Sequence, residues 1–510
     1  MPAICAHRKR SPATVRASRG RDGALRSQAN MTNRTSNQIV LPQYHFRPAA
    51  GWMGDINGPI YHNGFYHFFY QYKPPETENV HWGHARSKDL VHWEELPIAL
   101  SPSTEAGEND CWSGSCMITE NEDMPIIIYT SMPGFKQWAA RGSLDLVKWT
   151  KYQGNPVLPA ALHSDQVSIT RWRDPFLFRH EDRTYLITGG SGGVSDQTPK
   201  GQRKGHVSLY VAQAESLTRW KYLGPLFIHP VSWDNACPNF FRLGDKWVLL
   251  MSRHDPHCMD YFVGTWNTGD YRFVPESAGT LGYTEAVYAT HGLYDEKGRL
   301  IIWSTLHSWR STGILDDWPG CLTLPRVVGL RPDGQLALQP LPELEALRKN
   351  RWQKSDIALD EASPVVADKQ GTALEIRARF APGTAQAFGL KVRRSADGAR
   401  AVTIRYDGML RIDGTAGEFN DNADDVRSPF RLLPDERRLD LRVFVDRTVI
   451  EVFANDRACL ERTIHPKEMY ANEMTMPGPT DDGVELFAEG GNATAELLEI
   501  WDMEEQKEHP

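Results

Sequence analysis

The sequence has no long apolar run and no excess of basic residues. Its longest apolar stretches, such as residues 125–129 and 247–251, fall far short of the roughly 18 residues that a transmembrane helix needs. Lys and Arg number 57 against 65 Asp and Glu, which gives a formal net charge of -8. We therefore expect neither a membrane nor a nucleic-acid partner, and a small polar substrate fits this composition better.

Paired cysteines and cofactor-binding motifs are also missing. The seven cysteines are odd in number and form no Cys-x-x-Cys pair, so neither a disulfide framework nor a zinc ribbon is predicted. The chain contains no P-loop, no Gly-x-Gly-x-x-Gly motif and no His-Glu-x-x-His motif, and these would indicate nucleotide cofactors or catalytic zinc. No cofactor and no metal are therefore expected.

The first thirty residues lack the apolar stretch of a secretory signal peptide. They hold seven Arg and Lys and one acid, Asp22, without the apolar region of about 7 to 15 residues that secretion requires. We predict that residues 1–40 form a basic, disordered segment, with Met31 as an alternative start site. A transit peptide is the other interpretation. Without a secretory signal, the expected location is the cytoplasm.

Short strand-like segments separated by tight turns make up most of the chain. Residues 58–61 and 65–72 flank Asn63-Gly64, and an Asn-Gly pair between two such runs is a strong hairpin signal. Similar turns stand at residues 243–245 and 296–298, and stretches with the 3.6-residue period of a helix are few. The chain is therefore predicted to be all-β.

A weak repeat runs through the first half of the chain. Residues 87–93, 143–149 and 215–220 each end in Leu-x-x-Trp, and their tryptophans lie 56 and 71 residues apart. Repeated hairpin units that cannot bury their apolar faces alone predict blades packed around an axis, that is, a β-propeller. Coincidental packing of Leu against Trp is the alternative.

A second domain is expected after the propeller. Residues 342–350, with Leu344 and Leu347 one turn apart, predict a helix at the boundary. Beyond it, strand-like runs such as 374–380, 401–406 and 449–453 alternate with turns, which is typical of a β-sandwich. We assign residues 41–345 to the propeller and residues 352–505 to the sandwich.

Two acids stand beside aromatic residues where strands are predicted to begin. Asp55 follows Trp52 by three residues, and Asp174 comes directly after Arg173. The innermost strands of a propeller converge on one funnel, so catalytic acids are expected on separate strands, far apart in sequence. Two structural interpretations stay open, namely a turn residue for Asp55 and a structural ion pair for Asp174.

Short motifs follow one another along the chain in a recognisable order. Residues 52–58 read Trp-Met-Gly-Asp-Ile-Asn-Gly, and residues 173–175 read Arg-Asp-Pro. Further stretches are Phe-Tyr-Gln-Tyr at 69–72, His-Trp-Gly-His-Ala at 81–85, Trp-Ser-Gly-Ser at 112–115, the segment 319–326 and the strands at 444–455. Together they resemble the motifs of glycoside hydrolase family 32, which contains invertases, inulinases and levanases. The resemblance extends from about residue 44 to residue 501.

This resemblance implies a five-bladed propeller followed by a β-sandwich, and retaining cleavage of β-fructofuranosidic bonds. Asp55 corresponds to the nucleophile and Asp174 to the transition-state stabiliser, with Arg173 positioned to orient it. The substrate is expected to be a small carbohydrate such as sucrose or an oligomer of levan or inulin. The residues that correspond to the sugar pocket are Trp52, Met53, Gly54, Gln71, Trp82, Trp112 and Ser113. For Trp82, packing within a blade is the alternative.

The chain departs from the family at the general acid. Family members carry Glu-Cys-Pro, whereas Ala236 precedes Cys237-Pro238 here. Alanine cannot donate a proton, and loss of general acid catalysis costs about 10²- to 10⁴-fold in rate. Asp234 is the first candidate replacement and Glu285 a second one. The third interpretation is a weak hydrolase or a sugar-binding relative, and fructosyl transfer on the same fold is a further alternative.

Smaller departures from the family affect the pocket. Gly54, Ile56 and Trp112 replace Asn, Pro and Phe of the family motifs, which alters the shape of the pocket.

Two other segments contain residue types that could bind a ligand. The glycine-rich residues 189–193 are predicted to form a flexible loop near the funnel rather than a phosphate cradle. The dense cluster at 253–258 contains metal-ligand types, namely His254, Asp255, His257 and Cys258, but Pro256 indicates a turn and no metal site is assigned there.

Overall fold

The computed structural model describes residues 41–119, 124–159, 163, 168–193, 198–254, 258–284, 286–306, 320–413, 426–464 and 481–505. Residues 1–40, Glu285, Asp255 and His257 therefore lie outside the described residues. Within the described ranges the chain is almost entirely β-strand, which confirms the predicted all-β class. No helix in these ranges is long and apolar enough to cross a membrane.

The first twenty-one strands form five antiparallel units in chain order, and a single pairing of Gly190 with Asn235 joins the third unit to the fourth. Blade I contains β1 Trp52–His62, β2 Phe65–Lys73, β3 His81–Ser87 and β4 Trp93–Leu100. Blade II contains β5 Asp110–Ile118, β6 Pro125–Met132, β7 Lys136–Gly142 and β8 Trp149–Lys151. Blade III contains β9 Ser168–His180, β10 Arg183–Gly193, β11 Lys204–Ala212 and β12 Trp220–Ile228.

Two further blades complete the ring. Blade IV contains β13 Asn235–Leu243, β14 Lys246–Arg253, β15 Cys258–Asn267 and β16 Arg272–Gly282. Blade V contains β17 Val287–Tyr294, β18 Leu300–Leu306, β19 Cys321–Leu322, β20 Arg326–Leu330 and β21 Leu336–Pro340. The first strands of the five blades touch one another in the order β1, β5, β9, β13 and β17, and β17 returns to β1. The predicted five-bladed propeller is thereby confirmed.

The sandwich consists of two six-stranded antiparallel sheets. In spatial order, one sheet contains β22 Arg348–Leu359, β33 Ala493–Met503, β24 Ala373–Ala381, β29 Leu439–Asp446, β30 Val449–Ala454 and β31 Ala458–Thr463. The other contains β23 Val365–Val366, β32 Gly483–Glu489, β25 Ala387–Arg394, β26 Val402–Tyr406, β27 Leu410–Asp413 and β28 Val426–Arg427. Short 3-10 helices occur at Thr104–Ala106, Lys200–Gln202 and Pro342–Leu347.

The tryptophan repeat marks the same place in three blades. Each Leu-x-x-Trp motif forms the turn before the outermost strand, which begins at Trp93, Trp149 or Trp220. The leucine of each motif is buried and has a positive φ. The indole N–H of Trp149 donates to the carbonyl of Leu146 at 2.7 Å, and Trp220 donates to Leu217 at 3.0 Å. The repeat is therefore a turn motif that begins the last strand of a blade.

Two local predictions were wrong. The predicted helix at 342–350 is a 3-10 helix that ends at Leu347, and β22 begins at Arg348. The glycine-rich stretch 189–193 is part of β10 and pairs with β9 and β11 instead of forming a loop. Glycine is needed there because an added Cβ at Gly192 would lie 2.3 Å from the His206 ring.

The propeller and the sandwich share a buried ionic cluster. His45 Nδ1 lies 2.8 Å from Asp446 and its Nε2 lies 3.2 Å from Glu451, which also pairs with Arg326 at 3.1 Å. Burial alone would lower the pKa of His45, but its hydrogen bonds to the two carboxylates raise that pKa to about 9. The cluster therefore favours a protonated imidazole in the folded protein.

This cluster predicts that stability decreases at alkaline pH. The folded-state pKa of His45 lies above the unfolded value of about 6.5, so its contribution is complete below that pH and disappears as pH rises to about 9. The decrease is expected to be about 3 kcal/mol, measured as the free energy of urea unfolding between pH 6.5 and 9. In the matched variant His45→Gln this dependence should be absent, and equal slopes for both proteins would contradict the assignment.

Candidate active site

All five innermost strands carry a β-bulge at the same level of the propeller. The register shifts lie between Met53 and Ile56, Cys111 and Gly114, Arg173 and Phe176, Ala236 and Asn239, and Tyr288 and His291. A bulge sets two residues against one on the partner strand and redirects side chains. Asp55, Ser113, Asp174 and Cys237 all lie within these bulges. The local folding of separate strands thus brings residues far apart in sequence together.

Asp55 is held by donors from two neighbouring strands. Its Oδ2 accepts hydrogen bonds from Ser113 Oγ at 2.6 Å and from Gln71 Nε2 at 3.2 Å. Burial raises the pKa of Asp55 to about 6, although the Ser113 hydrogen bond lowers it, and the charge of Asp174 raises it further. A carboxylate of this kind is oriented and still ionises near neutral pH, as a nucleophile requires.

Asp174 is the second carboxylate of the site. It has a φ of 59°, in the left-handed region, and its N–H donates to Thr130 Oγ1 at 2.8 Å. Its Oδ2 accepts the N–H of Cys237 at 2.9 Å and lies 3.4 Å from Arg173 Nε. Burial raises the pKa of Asp174, and the charge of Arg173 opposes this effect. Backbone and side-chain donors therefore fix this carboxylate.

The Cys237 thiol connects the two carboxylates. Its Sγ lies 3.6 Å from Asp55 Oδ2 and 3.7 Å from Asp174 Oδ2. Burial raises the pKa of this thiol well above its usual value, and the neighbouring carboxylates raise it further. Cys237 is therefore a protonated donor between two acids. Its contact with both carboxylates could not be inferred from the sequence, although the Cys-Pro pair suggested its general location.

Asp234 is part of a buried arginine network. Its two oxygens accept hydrogen bonds from Arg173 Nη1 at 3.1 Å and Nη2 at 3.0 Å, and Arg171 Nε donates to Oδ2 at 2.7 Å. The Asp234 side chain is fully buried. Both oxygens are occupied as acceptors for guanidinium groups, a geometry that suits a charged anchor for Arg173 better than a proton donor.

Ala236 fills the position that the resemblance gives to the general acid. It pairs with Ser252 in the β13–β14 ladder, directly before the bulge. Its side chain is buried in a small cluster with Cys237, Tyr288 and Ala289. A methyl group in apolar surroundings provides no transferable proton at this point. Glu285, the second candidate acid, lies outside the described residues.

Three of the predicted pocket residues lie at the rim or against Asp55. Gln71 and Ser113 contact Asp55, as described above. Trp52 is partly exposed, and Lys73 Nζ lies 5.5 Å from the centre of its ring. An added Cβ at Gly54 would lie 2.3 Å from that ring and 2.9 Å from Gln71 Oε1. Glycine at position 54 therefore makes room for the Trp52 indole over the bulge.

The other aromatic and apolar candidates have different surroundings. Met53 and Trp82 are fully buried and belong to hydrophobic clusters. The indole N–H of Trp82 donates to the carbonyl of Trp112 at 3.0 Å, next to Ser113. Trp112 itself is partly exposed and packs edge-to-face on Phe135 at 5.8 Å. Trp82 thus packs within the blades, the alternative noted for it, and supports the bulge of β5.

His254 is connected to the site through Arg173 and Tyr288. His254 Nε2 accepts a hydrogen bond from Arg173 Nη2 at 3.0 Å and lies 2.9 Å from the Tyr288 hydroxyl. In the part of the chain that the structure describes, no group of three or more His, Cys, Asp or Glu is placed to hold a metal ion. Tyr288 was not among the predicted residues, since nothing in its local sequence distinguishes it.

Family models match nearly all of the described chain. The model of the glycosyl hydrolases family 32 N-terminal domain matches residues 45–340, and that of the family 32 C-terminal domain matches residues 343–502. Among curated relatives, the raffinose invertase of Escherichia coli is 30% identical, over 84% of this chain and 90% of its own length. The sucrose-6-phosphate hydrolase of Zymomonas mobilis is 28% identical, over 91% and 92%.

Solved structures show the same fold. The fructan 1-exohydrolase IIa of Cichorium intybus, solved in complex with 1-kestose, has a TM-score of 0.79 and 23% identity, and the match covers 91% of this chain and 98% of the other. The sucrose-6-phosphate hydrolase of Lactobacillus gasseri has a TM-score of 0.76 and 24% identity, with 92% and 94% covered. At this level of identity, the likeness concerns the fold.

Proposed function

The chain belongs to glycosyl hydrolase family 32, and we propose that it hydrolyses β-fructofuranosides with Asp55 as nucleophile and Asp174 as transition-state stabiliser. The observation that carries this proposal is the convergence of two buried carboxylates on one thiol, with Ser113 and Gln71 as donors to Asp55. The family provides the reaction class, and the geometry of this chain supports the assignment of roles.

In the first step, a carboxylate oxygen of Asp55 bonds to the anomeric carbon while the bond to the leaving oxygen breaks, and that oxygen takes a proton from water. In the second step, water attacks the anomeric carbon of the resulting fructosyl ester, its proton passes to solvent, and the Asp55 carboxylate is regenerated, so the anomeric configuration is retained. Asp174, which is fixed by Arg173 and by the Cys237 N–H, is suited to hold fructosyl hydroxyls and to stabilise the positive charge of the oxocarbenium-like transition state.

Leaving-group protonation is the step in which this chain differs from its relatives. Ala236 contributes no proton, and Asp234 uses both oxygens to hold Arg173. We propose that Asp234 is a positioning residue for Arg173, and through it for Asp174. The leaving group then departs without a carboxylic acid at position 236, which makes the first step sensitive to the acidity of the leaving group.

The proposed substrates are small β-fructofuranosides. The relatives are named as a sucrose-6-phosphate hydrolase, a raffinose invertase and a levanase. Sucrose, levan and inulin are the first substrates to test. Release of free fructose from any of them, detected in a product profile, is the expected result. Transfer of fructose to a sugar acceptor would instead indicate the fructosyltransferase alternative.

One observation favours a second candidate function. Because Ala236 lacks a proton donor, the site is also compatible with a sugar-binding protein that retains Asp55 and Asp174 as ligand contacts. The two functions are distinguished by calorimetry and product analysis on the same protein. Binding of sucrose without any release of fructose over long incubation would favour the binding protein.

The ionisation of Asp55 predicts how the rate depends on pH. The carboxylate attacks only when it is charged, and its pKa is about 6, so kcat/KM is expected to fall about tenfold for each pH unit below 6. Ser113→Ala removes a hydrogen bond that lowers this pKa and should move the acidic limb to higher pH. An acidic limb that stays in place in Ser113→Ala would assign the titration to another group.

A further inference from the structure

Side-chain hydrogen bonds to the backbone cross every junction between neighbouring blades near the site. Four of them run from Gly114 N to Asn57 Oδ1, from Leu177 N to Ser115 Oγ, from Cys237 N to Asp174 Oδ2, and from Asn239 Nδ2 to the Thr290 carbonyl. The fifth joins blade V to blade I through Thr305. These bonds fix the spacing between the innermost strands of neighbouring blades, which for the most part do not pair with one another through β-ladders.

The single hydroxyl of Thr305 joins blade V to blade I by donating one hydrogen bond and accepting another. Its Oγ1 donates to the Gly54 carbonyl at 3.1 Å and accepts the Ile56 N–H at 3.0 Å. These two backbone groups flank Asp55 in the chain. Thr305 lies in β18 of blade V and is fully buried, so no solvent is available at its surface to replace either bond.

The bulge of β1 explains why such a contact is needed. The ladder between β1 and β2 pairs Met53 with Tyr72 and Ile56 with Tyr70, and it skips Gly54 and Asp55. A bulge leaves backbone groups without their usual ladder partners, and buried backbone groups must be satisfied in another way. Thr305 satisfies two of them, one on each side of Asp55.

We propose that Thr305 is a positioning residue for the nucleophile, because its hydroxyl holds the bulge that carries Asp55. The inference rests on the proposed role of Asp55. It places a contribution to the nucleophile's geometry in the last blade, 250 positions further along the chain. Thr305 does not touch the substrate in this scheme, and it acts only through the backbone on both sides of Asp55.

Removal of the hydroxyl should affect the reaction more than substrate binding. In Thr305→Val the side-chain shape is kept, but the Gly54 carbonyl and the Ile56 N–H lose their partner. A displacement of a reacting group by about 1 Å can cost about 10²-fold in rate, so we expect kcat for sucrose to fall by about that factor, with KM changing by less than about threefold. Thr305→Ser, which keeps the hydroxyl, should restore most of the activity.

A pH profile separates this role from a general loss of stability. If the bulge relaxes, Asp55 loses part of its hydrogen bond with Ser113, and that bond lowers its pKa. The acidic limb of kcat/KM should therefore move to higher pH in Thr305→Val and stay in place in Thr305→Ser. A change in stability alone would leave the limb where it is.

Thr323→Val is the matched control. Thr323 is also a buried threonine of blade V, and its Oγ1 accepts the Ser304 N–H at 3.0 Å instead of binding the backbone on either side of Asp55. It should lower the thermal unfolding temperature without changing kcat or the pH profile. If Thr305→Val behaves as Thr323→Val does, Thr305 is only structural and the inference is overturned. If Asp55→Asn keeps its activity, the proposed function fails instead, so the two failures are distinguishable.

Discussion

Asp55→Asn is expected to lower kcat for sucrose hydrolysis by at least about 10⁴-fold. The amide keeps the size of the side chain and can still contact Ser113 and Gln71, but it has no charged oxygen to form the fructosyl ester. Loss of a group that forms the covalent intermediate removes about this much or more of the rate in well-studied hydrolases. Initial rates of fructose release, and mass spectrometry of acid-quenched enzyme, provide the measurement.

The matched control is Asp145→Asn, because Asp145 lies in an exposed turn of blade II and accepts hydrogen bonds from Ser143 and Val147 of the same turn. It should have wild-type kcat. With an aryl fructoside, whose leaving group needs no protonation, wild-type enzyme should carry a fructosyl adduct after rapid quenching, and Asp55→Asn should carry none. Substantial turnover by Asp55→Asn would contradict the assignment of the nucleophile.

Sensitivity to the leaving group is the second large effect. A β-fructofuranoside with an acidic phenol as leaving group should react faster than sucrose by about 10²- to 10⁴-fold in kcat/KM, since that range is the usual contribution of a general acid. A phenolate is a good leaving group without protonation, whereas the alkoxide of a sugar leaves slowly unless it is protonated. The measurement is kcat/KM for a series of aryl fructosides and for sucrose under the same conditions.

Asp234→Asn determines whether Asp234 contributes a proton. If Asp234 holds Arg173, as its contacts indicate, the variant should lose activity by a similar factor with sucrose and with the aryl fructoside. A loss confined to sucrose would identify Asp234 as the acid. Equal kcat/KM for sucrose and the aryl substrate in the wild-type enzyme would show that an acid is present, and would contradict the proposed reaction without one.

The fold could be predicted where local chemistry determines the local structure. The Asn63-Gly64 turn joins β1 to β2, and each tryptophan of the repeat begins the outermost strand of its blade. Predictions were wrong where tertiary contacts override local preference. Residues 348–350 belong to β22 because Arg348 and Lys349 pair with the last strand. The glycines at 189–193 are extended because β10 lies against neighbours that leave no room for side chains.

The sequence predicted the location of the site better than it predicted the contacts within it. Motifs placed Asp55, Asp174 and Ser113 close together because they mark strands that a propeller must bring to one axis. They could not show that Met53 belongs to a hydrophobic cluster, since a one-residue bulge follows it in β1 and changes which side of the strand faces the funnel. Trp82 lies in β3, outside the innermost strands, and packs in another hydrophobic cluster. The partners of Asp234 were equally inaccessible, because Arg171 and Arg173 belong to another blade.

The contacts of Gln43 have a consequence for the connectivity of the whole protein. Its N–H donates to Asp446 at 2.6 Å, and its side-chain amide donates to the carbonyl of Met503 at 2.9 Å. Residue 43 and residue 503 therefore meet on the sandwich, and the described chain between them forms a nearly closed circuit. The fold therefore does not require that blade I come first in the chain. A circular permutant opened in an exposed turn is expected to keep the same blades, sheets and junctions.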